Sequence, residues 1–284
     1  MAYDGIVAAA MVNELNDRLL MGSISKVAQP EKDELLLTVK CSRRLVRLTI
    51  SANASAPVVC LREDNALSPA TAPNFCMTLR KHIGGGRITR IFQPSSAFRS
   101  GYESSGRIHE GLERIIVFSI EHLDEMGDLS EKYLICELMG KHSNIILARQ
   151  DLTVIDSIKH VSHMTSSVRE VLPGRPYFIP DASAKANPLE LYLDEDAFRA
   201  LMKGSSKDGD GTGGRGISRH LYMSVTGISP SVSEEICWRA GVDPELPHGI
   251  LDPEVYGRIF AAFAGIMSDV ETGSFRPNII CEGD

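Results

Sequence analysis

Met139-Gly140-Lys141-His142-Ser143-Asn144-Ile145-Ile146-Leu147 is the stretch on which the fold of the first half of this chain turns. One apolar run ends at Met139, a polar turn follows, and a second apolar run opens at Ile145, which reads as strand, turn, strand. Ser143 and Asn144 are residue types that bond their own backbone in turns, with Lys141 solvated. The same turn also keeps a cation, an imidazole and two small hydrogen-bonding side chains together. Stability alone rarely selects that set.

Outward from this hairpin, strand-like runs occupy 34–40, 45–51 and 57–62 on one side and 87–93, 114–121, 132–139, 144–148 and 153–158 on the other. Short spacers favour antiparallel neighbours. A helix is expected over 5–20, where Val7, Met11, Leu15 and Leu19 recur every four residues and Asp4 stands ready to accept the orphan N–H groups of the first turn. A second covers 75–83, and Gly84-Gly85-Gly86 ends it, because glycine accepts the left-handed conformation a helix C-terminus needs. The fold class is therefore α+β, a β-sandwich or partly closed barrel with flanking helices. Between Gln93 and Leu112 a Ser/Gly-rich segment with no core-forming period reads as a surface excursion lengthening one hairpin.

Beyond a Ser- and Pro-containing connector at 162–181 the pattern turns helical. An acidic segment at 187–202 precedes a Gly/Ser/Lys/Asp loop at 204–216, and then come 217–225, the turn Thr226-Gly227-Ile228-Ser229-Pro230, 231–240 and 253–272. The expected domains are a β-rich module at 1–180 and a helical region at 181–284. With 43% hydrophobic and 24% charged residues, each has the composition of an ordinary globular domain. The six cysteines, 41, 60, 76, 136, 237 and 281, form no CxxC pair, which suits buried free thiols in a reducing compartment rather than disulfides or a zinc site. No signal peptide or membrane span is visible, so a cytoplasmic location is expected.

Net charge is -7, but it is unevenly divided: 1–180 hold 21 Lys+Arg against 20 Asp+Glu, whereas 181–284 hold 9 against 17. Within 80–114, seven cations (Arg80, Lys81, Arg87, Arg90, Arg99, Arg107, Arg114) face three anions (Glu103, Glu110, Glu113). Such a patch can attract phosphates on a globally acidic protein, or simply solvate strand faces and loops.

Five strings occur in order: Asp4-Gly5-Ile6-Val7, Pro73-Asn74-Phe75-Cys76-Met77-Thr78-Leu79-Arg80-Lys81-His82, the hairpin above, Asp156-Ser157-Ile158-Lys159-His160-Val161, and Arg169-Glu170-Val171-Leu172-Pro173-Gly174-Arg175-Pro176-Tyr177. Together they resemble the N-terminal module of the NFACT family, which includes ribosome quality control factors and proteins long labelled fibronectin-binding protein A. The resemblance covers 1–177 and continues more weakly to the end. It implies a fold like the N-terminal part of formamidopyrimidine-type DNA glycosylases, followed by a helix-hairpin-helix region. The single glycine of the 226–230 turn and the acidic Glu234 and Glu235 after it favour a packing role there over phosphate binding. The excursion after Gln93 is longer than the family pattern implies.

The resemblance also implies that Asp4 and an acid-arginine pair at the start of a central strand, here Glu113-Arg114, sit together and engage the acceptor part of transfer RNA. Arg114 offers a planar fork of donors for a phosphate or base edge, and a carboxylate accepts from a ribose hydroxyl. The competing readings are an N-cap for Asp4 and a strand-end ion pair for Glu113-Arg114. Arg80 and Lys81, closing the second helix, and Lys141 and His142 complete the candidate transfer-RNA surface. Lys159, His160 and His163 are candidate extensions, and Tyr3, Phe98 and Tyr102 are candidates for stacking on a nucleotide.

By resemblance the partners are alanyl-tRNA and the large ribosomal subunit obstructed by peptidyl-tRNA, with alanine tailing of the stalled chain as the outcome. Fibronectin is the alternative partner. No catalytic residue, cofactor or metal is expected. The start Met1-Ala2-Tyr3-Asp4 lacks the N-terminal proline of the glycosylases, and no GxSxG, HExxH or P-loop is present.

Overall fold

The computed structural model describes residues 3–64, 71–124, 126–180, 185–203 and 216–277. The chain divides into two units, Met1–Ala184 and Lys185–Asp284.

The first unit is built on helix α1 (Gly5–Leu19), strands β1 (Ser23–Glu31), β2 (Glu34–Cys41), β3 (Arg44–Ser51) and β4 (Val58–Arg62), helix α2 (Asn74–Ile83), and strands β5 (Arg87–Phe92), β6 (Ile115–Leu123), β7 (Leu129–Glu137), β8 (Asn144–Arg149) and β9 (Val154–Ser157). Where the sequence pattern left a sandwich and a partly closed barrel open, the strands form one nine-stranded antiparallel sheet in the order β4-β3-β2-β1-β5-β6-β7-β8-β9. Its two halves meet at a narrow β1–β5 seam, with Met21 N–H donating to Ile88 O (2.8 Å), Ile88 N–H to Gly22 O (2.9 Å) and Gly85 N–H to Ile24 O (2.8 Å). Gly22 has no room for a side chain there: a Cβ would lie 2.6 Å from Val39 Cγ1.

Both halves nevertheless share one core. Leu37 and Ile50 from the first half join Phe118 and Leu134 from the second around Val12 and Leu15 of α1 and Leu79 and Ile83 of α2. Apolar burial over so many elements is the main stabilising term. The buried face of α1 runs through Ala8, Val12, Leu15 and Leu19, while Val7 of the expected stripe is exposed. Small alanines at 8 and 9 let the helix approach the sheet closely. Asn16 fixes that approach, its Nδ2 donating to Ile91 O of β5 (2.8 Å) as well as to Val12 O (2.8 Å).

Helix α2 ends as expected, but Gly84 itself is extended; the left-handed residue is Gly85, at φ 79°. Strand β1 has no counterpart in the sequence reading, since a bulge between Ile24 and Lys26 breaks its alternation.

The opposite face of β6–β8 carries a second core of Phe92, Ile115, Val117, Ile135 and Ile146, covered by loops. Phe98 of the excursion is 1% exposed there, edge-on to Phe92, Tyr133, Tyr102 and Tyr177. The excursion is thus fastened to the protein, and Phe98 is unavailable to stack on a nucleotide. Tyr3 likewise packs against the main core, and Tyr102 lies edge-on to Phe98 at 5.3 Å.

The connector is fastened too. Arg169 Nη2 donates to Glu137 Oε1, Tyr177 Oη donates to the same oxygen (2.9 Å), and Arg169 Nη1 donates to Phe178 O (2.7 Å). Glu137 is fully buried, so this pairing is what makes its charge tolerable.

The second unit consists of α3 (Pro188–Leu191), α4 (Glu195–Lys203), α5 (Ile217–Ser224), α6 (Pro230–Ala240) and α7 (Pro253–Glu271). Ser229 caps α6 by accepting from Val232 N–H (3.3 Å), and Gly241 ends it in the left-handed conformation. Phe198 of α4 stacks on Phe263 of α7 at 5.1 Å. Nearly all of the loop expected at 204–216, and Cys281, lie outside the described residues. No described helix is long and apolar enough to cross a membrane.

Candidate nucleic-acid interface

Gln93, at the end of β5, organises the site. It is completely buried, and its Nε2 donates both to Gly5 O (2.9 Å) and to Glu113 O (2.7 Å). One amide therefore holds the start of α1 against the residue before β6. Asp4 and the Glu113-Arg114 pair converge through this link, although 109 positions separate Asp4 from Glu113 in the chain. Each such bond contributes about 1 kcal/mol net, and leaving either carbonyl unpaired would cost more.

Asp4 is the N-cap of α1, its Oδ1 accepting from Ile6 N–H (3.1 Å) and Val7 N–H (2.9 Å). Its structural reading therefore holds alongside its place in the cluster. Glu113 is half-buried and Arg114 exposed. Arg114 O accepts from Leu138 N–H (2.9 Å), which sets the residue beside the turn after β7.

That turn is a single 3-10 turn, Gly140–His142, with Gly140 at φ 58°. Lys141 and His142 are exposed, whereas Ser143 and Asn144 are 1% and 2% exposed. Ser143 Oγ accepts from Met139 N–H (2.8 Å), as turn chemistry predicts. Asn144 reaches further: its Nδ2 donates to Lys159 O (2.9 Å), and its Oδ1 accepts from Lys159 N–H (3.1 Å). Lys159 in turn sends its ammonium to Ala52 O and Ser143 O, linking the end of β3 to the start of β8 across the curl of the sheet. Partial burial draws its pKa down. Lys159 is therefore a clamp rather than an extension of the exposed surface. His160 and His163 face Asp156 (2.8 Å) and Glu170 (3.4 Å).

Arg80 and Lys81 lie elsewhere. Both close α2, where Arg80 Nε donates to Val27 O of β1 (3.0 Å) and Lys81 borders a pocket with His122, Leu123 and Asp124 at the end of β6. Arg114 precedes the start of that strand, and nine residues in extended conformation span about 27 Å. The seven-cation patch is divided in the same way. Arg90 is taken up by buried Glu110 (2.7 Å) and sits 3.9 Å over the Phe92 ring, with Ser104 Oγ also donating to Glu110 (2.7 Å). That pairing fastens the excursion. Among the described residues no group of three or more His, Cys, Asp or Glu is placed to hold a metal ion.

The site end of the sheet thus presents carboxylates and cations on a scaffold of buried amides, an arrangement that can contact phosphate and ribose. Sequence reasoning missed Gln93, whose only signal is a polar residue ending an apolar run, and read Lys159 as part of the exposed surface when it is an internal clamp.

A family model described as NFACT N-terminal and middle domains matches residues 4–284. The Rqc2 homolog RqcH of Bacillus subtilis (strain 168) is 32% identical over 280 residues, covering 98% of this chain and 43% of the relative. The Rqc2 homolog RqcH of Streptococcus suis (strain 05ZYH33) is 34% identical over 202 residues, 71% of this chain and 34% of the relative. The chain thus spans less than half the length of these curated relatives. Among solved structures, the N-terminal part of the fibronectin/fibrinogen-binding protein from Streptococcus suis superposes with a TM-score of 0.70 at 27% identity, covering 92% of this chain and 84% of that one. The fibrinogen binding protein from Staphylococcus aureus gives 0.71 at 26%, covering 95% and 83%. The strings that carried the resemblance and the match over 4–284 agree: this chain belongs to the NFACT family.

Proposed function

We propose that this chain is the transfer-RNA-binding part of a cytoplasmic ribosome quality control factor, acting on large subunits obstructed by peptidyl-tRNA. The observation that carries the reading is the Gln93 amide joining Gly5 to Glu113, which assembles Asp4, Glu113 and Arg114 beside exposed Lys141 and His142. Arg114 contacts a phosphate or base edge, and the carboxylates accept from ribose hydroxyls, which distinguishes RNA from DNA. Lys141 and His142 add backbone contacts that are sensitive to salt. By family resemblance the RNA is alanyl-tRNA and the outcome is alanine tailing of the stalled chain. In this reading the protein presents an aminoacylated RNA and uses no cofactor or catalytic group of its own. The α5-turn-α6 pair, read by resemblance as a helix-hairpin-helix, serves packing, with Glu234 and Glu235 opposing a phosphate.

Sequencing of RNA that co-purifies with the full-length protein tests this. Transfer RNA, together with large-subunit RNA, is the expected yield, and Arg114→Ala is expected to deplete the transfer RNA. The likeness to fibronectin- and fibrinogen-binding proteins supplies the second reading. Fibronectin capture at physiological salt, with no enrichment of transfer RNA, would favour it.

A further inference from the structure

A second cluster of exposed cations lies at the other end of α1 from Asp4. The helix is 15 residues long, so its last turn stands about 22 Å from its cap. The tip of the β2–β3 hairpin meets it there. A Cβ on Gly22, just past the helix, would lie 2.7 Å from Cys41 Sγ. Burial pushes the Cys41 thiol up, and Arg18 of the last helical turn draws it down. Arg44 stands directly opposite Cys41 in the ladder, while Lys40 and Leu45 pair on the other face of the hairpin. Arg18, Lys40, Arg43 and Arg44 are all exposed, and among the described residues none of the four is in an ion pair. The anions nearest in the chain and ladder are Asp17, beside Arg18, and Glu63 and Asp64 after β4, of which Asp64 faces Arg62 at 3.9 Å.

The helix dipole accounts for Arg18 without any ligand. It does not account for Lys40, Arg43 and Arg44, gathered at one tip by the two-residue turn Ser42-Arg43, in which Ser42 holds φ 53°. Charge at a hairpin tip serves solubility, but solubility does not call for large apolar side chains in the same place. Here Leu20 (44%), Met21 (56%) and Leu45 (58%) are exposed among the cations. Cations interleaved with apolar side chains suit a chain of phosphates and sugars. Exposed Glu14 and Asp17 stand on α1 between this cluster and Asp4, and they oppose a phosphate chain laid along the helix. RNA held here is therefore a different segment from RNA held at Arg114.

We infer that the turn after α1 and the β2–β3 tip form a second RNA contact, in which Arg18, Lys40, Arg43 and Arg44 pair with phosphates of folded large-subunit ribosomal RNA and Met21 and Leu45 pack against its sugars. The assignment to ribosomal RNA rests on the proposed function.

The test is to titrate purified large subunits and, separately, transfer RNA against the full-length protein and its Arg43→Gln/Arg44→Gln variant. The variant is expected to bind large subunits about tenfold or more weakly. Its transfer-RNA affinity is expected to stay within about twofold of the wild type, as for independent sites. The slope of log subunit affinity against log salt is expected to become shallower by about two, one for each lost phosphate contact. Arg43→Lys/Arg44→Lys is expected to retain most of the affinity. Should the glutamine pair lower the unfolding temperature, Arg18→Gln/Lys40→Gln supplies the same comparison. Unchanged subunit affinity and salt slope in the folded variants would overturn the contact and leave the transfer-RNA reading standing. An equal fall in transfer-RNA affinity would overturn it by making this one surface with Arg114. Retention of the wild type but not the variant on phosphatidylserine vesicles, with equal subunit affinities, would overturn it in favour of a lipid surface. A wild type that binds neither large subunits nor transfer RNA would remove the proposed function and this ribosomal contact with it.

Discussion

The two ends of β6 handle charge in opposite ways. At the start of the strand buried polar groups tie segments together: Gln93 holds two carbonyls, Asn144 and Lys159 hold each other's segments, and Glu137 is paired with Arg169 and Tyr177, while Gln93 Oε1 and Glu137 Oε2 are buried without a hydrogen-bond partner among the described residues. The side chains offered to solvent there, Arg114, Lys141 and His142, are spared any structural task among the contacts described. At the finish of the strand a cation is itself buried, in Lys132, whose Nζ donates to Ser130 Oγ beside half-buried His122. Charge can thus be carried on side chains that stand apart from the packing, or by a side chain that is part of it. The first separates charge from stability, and the second couples them.

The largest effect that would break this comparison is at Glu137. Arg169→Met leaves its carboxylate buried without a counter-charge, with Tyr177 Oη still donating to it, and is expected to destabilise the protein by about 3–5 kcal/mol, read from urea denaturation. A loss below about 1 kcal/mol would mean that the Arg169 charge is not what holds Glu137 in the interior. Next is Gln93→Leu, which leaves Gly5 O and Glu113 O without their donor, at about 1–3 kcal/mol for each. Because Asp4 and Glu113 are then no longer held together, transfer-RNA retention is expected to fall even at temperatures where the variant remains folded. Retention unchanged in a folded variant would separate Gln93 from the site.

At the other end of β6 the sign reverses. Burial holds the folded-state pKa of Lys132 below its ordinary value of 10.5, so between those two values the unfolded chain binds the extra proton and stability rises with pH. Lys132→Met abolishes that rise. It is expected to be as stable as the wild type or more so at neutral pH, with the difference shrinking as pH approaches 10.5. Thermal unfolding at a series of pH values checks this, and a variant less stable than the wild type at neutral pH would mean that Lys132 is already balanced within the fold. His82 follows the same rule lower down. Its lowered pKa removes stability as pH falls below its ordinary 6.5.

Much of the first unit was legible because its strands obey local rules. The runs expected at 34–40, 45–51 and 144–148 correspond to β2, β3 and β8 with ends shifted by one residue or less. Asp4 was readable as a cap because capping is a contact between neighbours in sequence. What was not legible depended on distant partners. The periodicity of β1 was hidden by its bulge. The excursion and the connector looked like surface loops because their Ser, Gly and Pro content is that of loops, yet Phe98 and Tyr177 make them the cover of a second core. The seven cations of 80–114 looked like one patch, but antiparallel strands carry sequence neighbours to opposite ends of a sheet. Arg80 and Lys81 are thereby parted from Arg114, while Asp4 and Lys141 are brought to its side.

The central claim is that Arg114, carried on a scaffold that does not need it, contacts transfer RNA. The most direct measurement is the transfer-RNA affinity of the full-length protein and its Arg114→Ala variant, taken at one fixed salt concentration alongside their unfolding temperatures. The account predicts an affinity lower by about tenfold or more, with stability within about 0.5 kcal/mol of the wild type. Equal affinities for the two proteins, or a loss of affinity matched by a loss of folding, would contradict it.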